Sequence, residues 1–304
     1  MANILRTYGD VSIKEDVVLN SVEILTAKEV SIMNMLGKTQ AIATVHSYLT
    51  DSLSTPASSA VTEGGDYVNS ARTTPVRLTN VVQKSAIPFS VTETQQFVQH
   101  YTGENELERQ TKKALMEWGN SVEFDLVRST LVSGVSGTAT KASGIIEAIS
   151  KATNTTSHAS GTIWSASILD GLMKDNWDNS NGDVATDLFM GSFLRNATDG
   201  FVQKTNMVVN SPGPATIYRT VSTYTTALGT LNLHTHRYVN DGDATGRVLA
   251  INPAKLRMAY LKMPFIDTDL AKSGPYTRRA VTGDWTLEVR NQDSNFFSDG
   301  FNIG

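Results

Sequence analysis

His234 and His236 stand two residues apart in a run where Leu231, Leu233, Thr235 and Arg237 alternate with Asn232, His234 and His236. On a strand, that spacing puts both imidazoles on one face, where a metal ion could bridge them. No third ligand follows, and Asp241-Gly242-Asp243 reads as a turn, so exposed strand histidines are the expectation. Asp267 and Asp269 have the types for acid–base work, but no second constellation supports them, and a solvated loop is expected. Gly37-Lys38-Thr39 ends like a phosphate-binding loop, yet the required earlier glycine falls on Ile32, so a helix terminus is expected instead. Gly134-Val135-Ser136-Gly137 fails as a nucleophile elbow because its second glycine comes one residue early. Arg278-Arg279 with Lys272 is a small basic cluster, read as a solvated loop or an ion pair to another subunit before a phosphate site. Asn154-Thr155-Thr156 and Asn196-Ala197-Thr198 match glycosylation acceptors, but Met1 to Asp10 lacks the basic and apolar regions of a signal peptide. Both are expected to be unused. No catalytic, cofactor-binding or metal-ligating residue is assigned, and the chain reads as non-enzymatic.

With no reactive centre to position, the elements themselves become the subject. The 304 residues are 40% hydrophobic, enough for a sizeable core, but only 18% charged, below the usual quarter. Net charge is −4, and no basic domain announces sequence-specific nucleic-acid binding; a weak contact of one face with a phosphate backbone stays open. There is no cysteine, which excludes disulfides and thiolate metal sites. No apolar stretch approaches the ~20 residues needed to span a bilayer, so synthesis in a cytoplasm and solubility there until partners are met are expected.

Along the chain, Val22, Leu25, Glu29, Ile32, Met33 and Leu36 fall near helical spacing, with Gly37 placed as a C-terminal cap. Thr50 to Thr74 is polar and broken by Pro56 and Gly64-Gly65. Arg77 to Val91 resumes β character, and Val81, Ile87, Phe89 and Val91 share one parity. These segments predict a two-stranded excursion with its tip near Glu63 to Asn69. From Asp51 to Gln96 the chain has too few apolar side chains for a core of its own, so an ordered excursion must rest on another subunit. A long helix follows, about Glu104 to Val132, roughly 40 Å at ~1.5 Å per residue. Leu107, Thr111, Ala114, Leu115, Trp118, Val122, Leu126 and Leu131 form its apolar stripe, expected as core. Glu108, Lys112, Glu117 and Glu123 lie off the stripe, and Gly134 and Gly137 are expected to end the helix. After a polar loop from Ser150 to Gly161 the pattern mixes. Ile163 to Asp175 and Ser192 to Phe201 read as helices, and strands fall at Asp187 to Met190, within Val221 to Val239, at Val248 to Ile251 and at Leu256 to Met263. In the last strand Trp285, Leu287 and Val289 alternate with Thr286, Glu288 and Arg290. The fold class is α+β.

An ordered set of phrases then resembles a known family. Leu36-Gly37-Lys38, His46 to Leu53, Val61 to Gly64, Arg77 to Asn80, Phe89 to Gln96 and Lys113-Ala114-Leu115 are followed by Asp269 to Gly274 and Trp285 to Asn291. Together they resemble the SU10-like major head (capsid) proteins of tailed bacteriophages, within the Hong Kong 97-type capsid fold. No phrase is a mechanistic motif; the order carries the specificity, and the middle, Ser136 to Leu231, matches least. The resemblance implies an N-terminal arm (1–50), an extended loop (51–96) over an adjacent subunit, and a peripheral domain (97–160 and 252–304) with a spine helix at 104–132. An axial domain (161–251) would meet its copies around a capsomer axis. It further implies self-assembly into hexamers and pentamers that close an icosahedral head around double-stranded DNA, non-specific contact with that DNA, and portal, scaffolding or decoration partners. Location in the virion shell, no cofactor and no membrane contact follow from the same likeness. Gly64 and Gly65 would let the loop tip adjust between ring types. A match starting near the N-terminus argues against a large fused scaffolding segment. A tail-tube or decoration protein is the alternative, disfavoured by so long a helix. An enzyme with a carboxylate pair across a cleft is the other.

Overall fold

The computed structural model describes residues 31–54, 56–66, 72–97, 105–151, 153–180, 182–201, 222–240, 245–268, 270–271 and 274–302. The apolar parity of the C-terminal half builds the first sheet. β10 (Leu256–Asp267) and β11 (Tyr276–Val289) pair antiparallel. β1 (Gly37–Gln40) runs parallel to β10, and β4 (Gln83–Thr92) antiparallel to β11, giving the order β1-β10-β11-β4. In β4 the predicted parity holds: Ile87, Phe89 and Val91 turn inward, while Ala86, Pro88 and Ser90 are exposed. Pro88 is tolerated because β4 is an edge strand, where a missing N–H costs no ladder bond.

The long helix is α3 (Glu106–Arg128), whose Asn105 cap accepts from the Leu107 amide at 2.9 Å. It lays Ala114, Trp118, Val122 and Leu126 on the four-stranded sheet, against Met258, Tyr260, Val281, Trp285 and Leu287. Three expectations change here. The helix ends at Ser129, not at Gly134 or Gly137, which lie in a turn closed by Val132 opposite Lys141 and Val135 opposite Thr138. Leu115 and Leu131 are exposed. Glu123 is fully buried, because Gly119, Glu123 and Val127 form a second inward row beside the stripe at four-residue spacing.

The second sheet has the order β5-β12-β9-β6-β8-β7. Its members are β5 (Thr155–Thr162), β6 (Asp187–Met190), β7 (Thr223–Thr226), β8 (Gly229–Thr235), β9 (Gly246–Ile251) and β12 (Phe296–Phe301). Alternation sorts its two faces. Phe189, Leu249, Ile251 and Phe297 join the α3 core, with α4 (Ile145–Ser150) beneath them. Leu188, Met190, Val248, Ala250, Phe296 and Phe301 face α5 (Ala166–Ser180) and α6 (Ser192–Asp199). The segment 150–161 is therefore not simply a loop: most of it is β5, a polar edge strand parallel to β12. β10 and β11 lie in the four-stranded sheet, whereas β12 is an inner strand of the six-stranded one. Its three phenylalanines need cover on both faces, and only that sheet provides it.

Near the N-terminus the helix reading survives as α1 (Ser31–Met35); its residues before 31 lie outside the described part. Gly37 does not cap it in a left-handed conformation. It opens β1 opposite Arg257, because the chain enters the sheet at once.

Candidate functional site

Among the described residues, exposed and unpacked surface gathers on an arm rooted against the four-stranded sheet. β2 (Val45–Thr50) pairs antiparallel with β3 (Val76–Val81), in register from Val45 opposite Val81 to Thr50 opposite Val76. Beyond Thr50 the pairing stops. Every described residue from 51 to 66 and from 72 to 77 is exposed. Leu53 keeps 96% of its surface, and Val61 and Val76 are exposed as well. This part carries Asp51, Glu63 and Asp66 and, from 51 to 66, no base. Gly64 supplies the turn at the tip, with φ +77°. Among the described residues of this stretch, hydrogen bonds are local: Thr73 reaches Asp51 and the Ser52 carbonyl.

The root of the arm is fixed by polar groups that the sequence reading passed over. The Asn80 side chain donates to the carbonyls of Leu287 (2.9 Å) and Ser143 (3.2 Å) and accepts from the amides of Val81 and Ser143. Gln83 donates to Asp125 on α3 and accepts from the Ala142 amide. Tyr48 accepts from the Val289 amide through its hydroxyl, and burial, with the Glu288 charge adding, raises its pKa. His46 lies 3.2 Å from Glu288, which also receives Arg290 Nε at 2.7 Å. Tyr48 and His46, with Ala41, Val82 and Ala259, lie on the sheet face opposite α3, whereas Gln83 reaches α3 itself. That is why β11 is buried on both faces and Thr286 and Glu288, expected outward, are not exposed.

The arm is therefore two different things. The stretch expected to rest on sister molecules is anchored at its C-terminal half by its own body, since β4 pairs with β11 from Gln83–Trp285 to Thr92–Tyr276. The described residues 51–54, 56–66 and 72–77, by contrast, stay exposed. An apolar parity facing Trp118 and Trp285 was a signal for self-docking at 83–92.

The two histidines separate. His234 stacks on Phe189 and lies 2.9 Å from Asp187, which also takes Thr186 and Asn232. His236 is not an exposed strand residue. It lies past the end of β8, fully buried, with Nε2 3.0 Å from Glu123. The described residues hold no group of three metal-ligating side chains. Arg278 and Arg279 sit on β11 opposite Ser90 and Phe89, not in a loop, so one is exposed and one half-buried on opposite faces; Lys272 lies outside the described residues. Asp267 ends β10 opposite Ala280, and Asp269 lies outside the described residues. The sequon residues are structural: Asn154 is buried and donates to the Asp293 carbonyl, and Thr198 accepts from Trp164 Nε1 at 2.8 Å. Among the described residues no helix is long and apolar enough to cross a membrane.

A family model described as SU10 major capsid protein matches residues 7–300. No curated protein sequence matches the chain. Among solved structures, the capsid of Myoviridae phage XM1 aligns with TM-score 0.63 at 12% identity, covering 93% of this chain and 96% of that one. A Gordonia phage Cozz structure aligns with TM-score 0.64 at 11% identity, covering 98% and 94%. The holo-SrpI encapsulin complex of Synechococcus elongatus PCC 7942 aligns with TM-score 0.59 at 11% identity, covering 99% and 93%. At such identities the structures establish the Hong Kong 97-type fold and nothing narrower; an encapsulin shares it as fully as a phage capsid does. The family match makes the finer distinction.

Proposed function

The chain belongs to the SU10 major capsid protein family, a major capsid protein of a tailed phage and a component of the virion shell, and from that premise we propose how its elements divide the work of assembly. The four-stranded sheet with α3 as its spine is the peripheral domain. The six-stranded sheet, including β12, is the axial domain that meets its copies around the capsomer axis. The arm from Thr50 to Val76 lies over an adjacent copy, in hexamers and pentamers alike. The single observation that supports this is an arm anchored at its root whose described residues from 51 to 66 and from 72 to 77 are all exposed, Leu53 and Val61 among them. An ordered segment with only a few exposed hydrogen bonds of its own cannot offset its ordering entropy, so a second surface must supply the burial.

Closure of one sequence into two ring types requires heterologous contacts that tolerate small rotations. Portal, scaffolding or decoration proteins and non-specific contact with the packaged duplex complete the proposed partners, and no catalytic step is assigned. Negative-stain microscopy of the purified protein tests the reading, alongside limited proteolysis. Closed shells or capsomer rings are expected, with cleavage between residues 51 and 66 in free subunits and protection in assembled ones. A monodisperse monomer whose arm resists protease overturns it.

A further inference from the structure

Glu123 is a carboxylate with no exposed surface, placed between three parts of the chain that are remote in sequence. Its Oε1 accepts from the Ile32 amide at 2.7 Å and its Oε2 from the Met33 amide at 2.9 Å, both in α1. The same Oε1 lies 3.0 Å from His236 Nε2. An ionised carboxylate only accepts, so the imidazole donates. His236 hangs from the end of β8, where its own amide donates to the Met190 carbonyl at 3.0 Å, and its ring packs edge-on against Phe189 and Tyr238. One side chain on α3 thus holds α1 with one set of bonds and the six-stranded sheet with another.

Burying such a group is costly unless all its bonds are made, and losing any one partner weakens the case for the rest. We propose that Glu123 is a latch that couples two docking events: the seating of α1 and the seating of the six-stranded sheet on α3. The two are released together. Coupling of this kind is reciprocal: whatever loosens the sheet loosens the N-terminal segment by the same factor, and the reverse. In a shell subunit this would give an N-terminal segment whose attachment reports the relative position of the two sheets.

Amide hydrogen exchange on the full-length protein tests the latch. His236→Leu removes the donor without touching either α1 amide bond. It is expected to speed exchange at Ile32 and Met33 at least tenfold, while Val122 and Leu126 inside α3 stay protected; His236→Gln, which keeps a donor, restores most of the protection. Unchanged exchange at Ile32 and Met33 in His236→Leu overturns the coupling, as does a uniform rise through Val122 and Leu126. If His236→Leu does not fold, the wild-type protein decides. In rising sub-denaturing urea, the amides of Ile32, Met33 and His236 should lose protection in one step, ahead of Val122 and Leu126. Loss in separate steps overturns the proposal.

Discussion

Thr286 has a hydroxyl with nothing to bond. It is fully buried in β11, on the face covered by the root of the arm, and no group among the described residues accepts or donates to it. A buried, unpartnered hydroxyl costs roughly 1–3 kcal/mol, and valine has nearly the same shape. Thr286→Val is therefore expected to stabilise the subunit by about 1 kcal/mol in chemical denaturation. Asn80 is the opposite case, with every donor and acceptor of its amide in use. Asn80→Ala strands the carbonyls of Leu287 and Ser143 and the Ser143 amide, and should cost about 2–4 kcal/mol in the same measurement. Tyr224 offers a third test. Its hydroxyl donates to Asp170 at 2.7 Å, and partial burial, then that bond and the Asp170 charge, push its pKa up to about 12. A raised tyrosine pKa favours the neutral form in the folded chain. The tie between β7 and α5 is thus complete below the ordinary tyrosine pKa near 10 and lost as pH rises through about 12. Absorbance titration should show one tyrosine ionising near there, and Tyr224→Phe should abolish that component.

The elements divide by how local their cause is. The parity of β4 and the stripe of α3 were legible because each answers to one face it buries and leaves a period in the sequence, and the four-residue strand at Asp187–Met190, buried on both faces, was legible as a short apolar run. What was not legible needed a partner remote in the chain. Glu123 reads as surface until His236, 113 residues on, and the α1 amides, about 90 residues back, come to meet it. β5 reads as loop because its Thr and Ser side chains carry no period; its ladder with β12 is set from the far end of the chain. That ladder also demands a glycine. Gly300 has φ +92°, and a Cβ there would stand 2.2 Å from the His158 carbonyl oxygen. The left-handed backbone alone costs an L-residue roughly 1–2 kcal/mol, and the oxygen belongs to a paired strand that cannot step aside. Gly300→Ala is expected to lower stability by more than about 2 kcal/mol, read by thermal unfolding, whereas alanine at the open Gly171 of α5 should be neutral or stabilising.

At the scale of the whole molecule, the two sheets share one core through α3, and the described part of the arm beyond β2 and β3 lies outside that core. The ordered phrases from residue 36 to 291 carried the family across the chain, but they could not say where the arm separates from the body. That boundary is set by Asn80, Gln83 and the β4–β11 ladder, and beyond it the described residues 51–54, 56–66 and 72–77 stay exposed. An arm of this kind makes folding and assembly separable by mutation. Leu53 has nearly all its surface in solvent, so Leu53→Asp removes no contact from the free subunit, and its Tm should stay within the small range of surface substitutions. In a shell the same side chain is proposed to be buried against a neighbour. Burying a leucine contributes about 1.5–3 kcal/mol, and a charge in its place reverses the sign. Because that loss recurs at every copy, Leu53→Asp should abolish shells in microscopy while Ser54→Asp, adding the same charge one residue along, permits them. Equal assembly by both variants would show that the arm makes its contacts elsewhere.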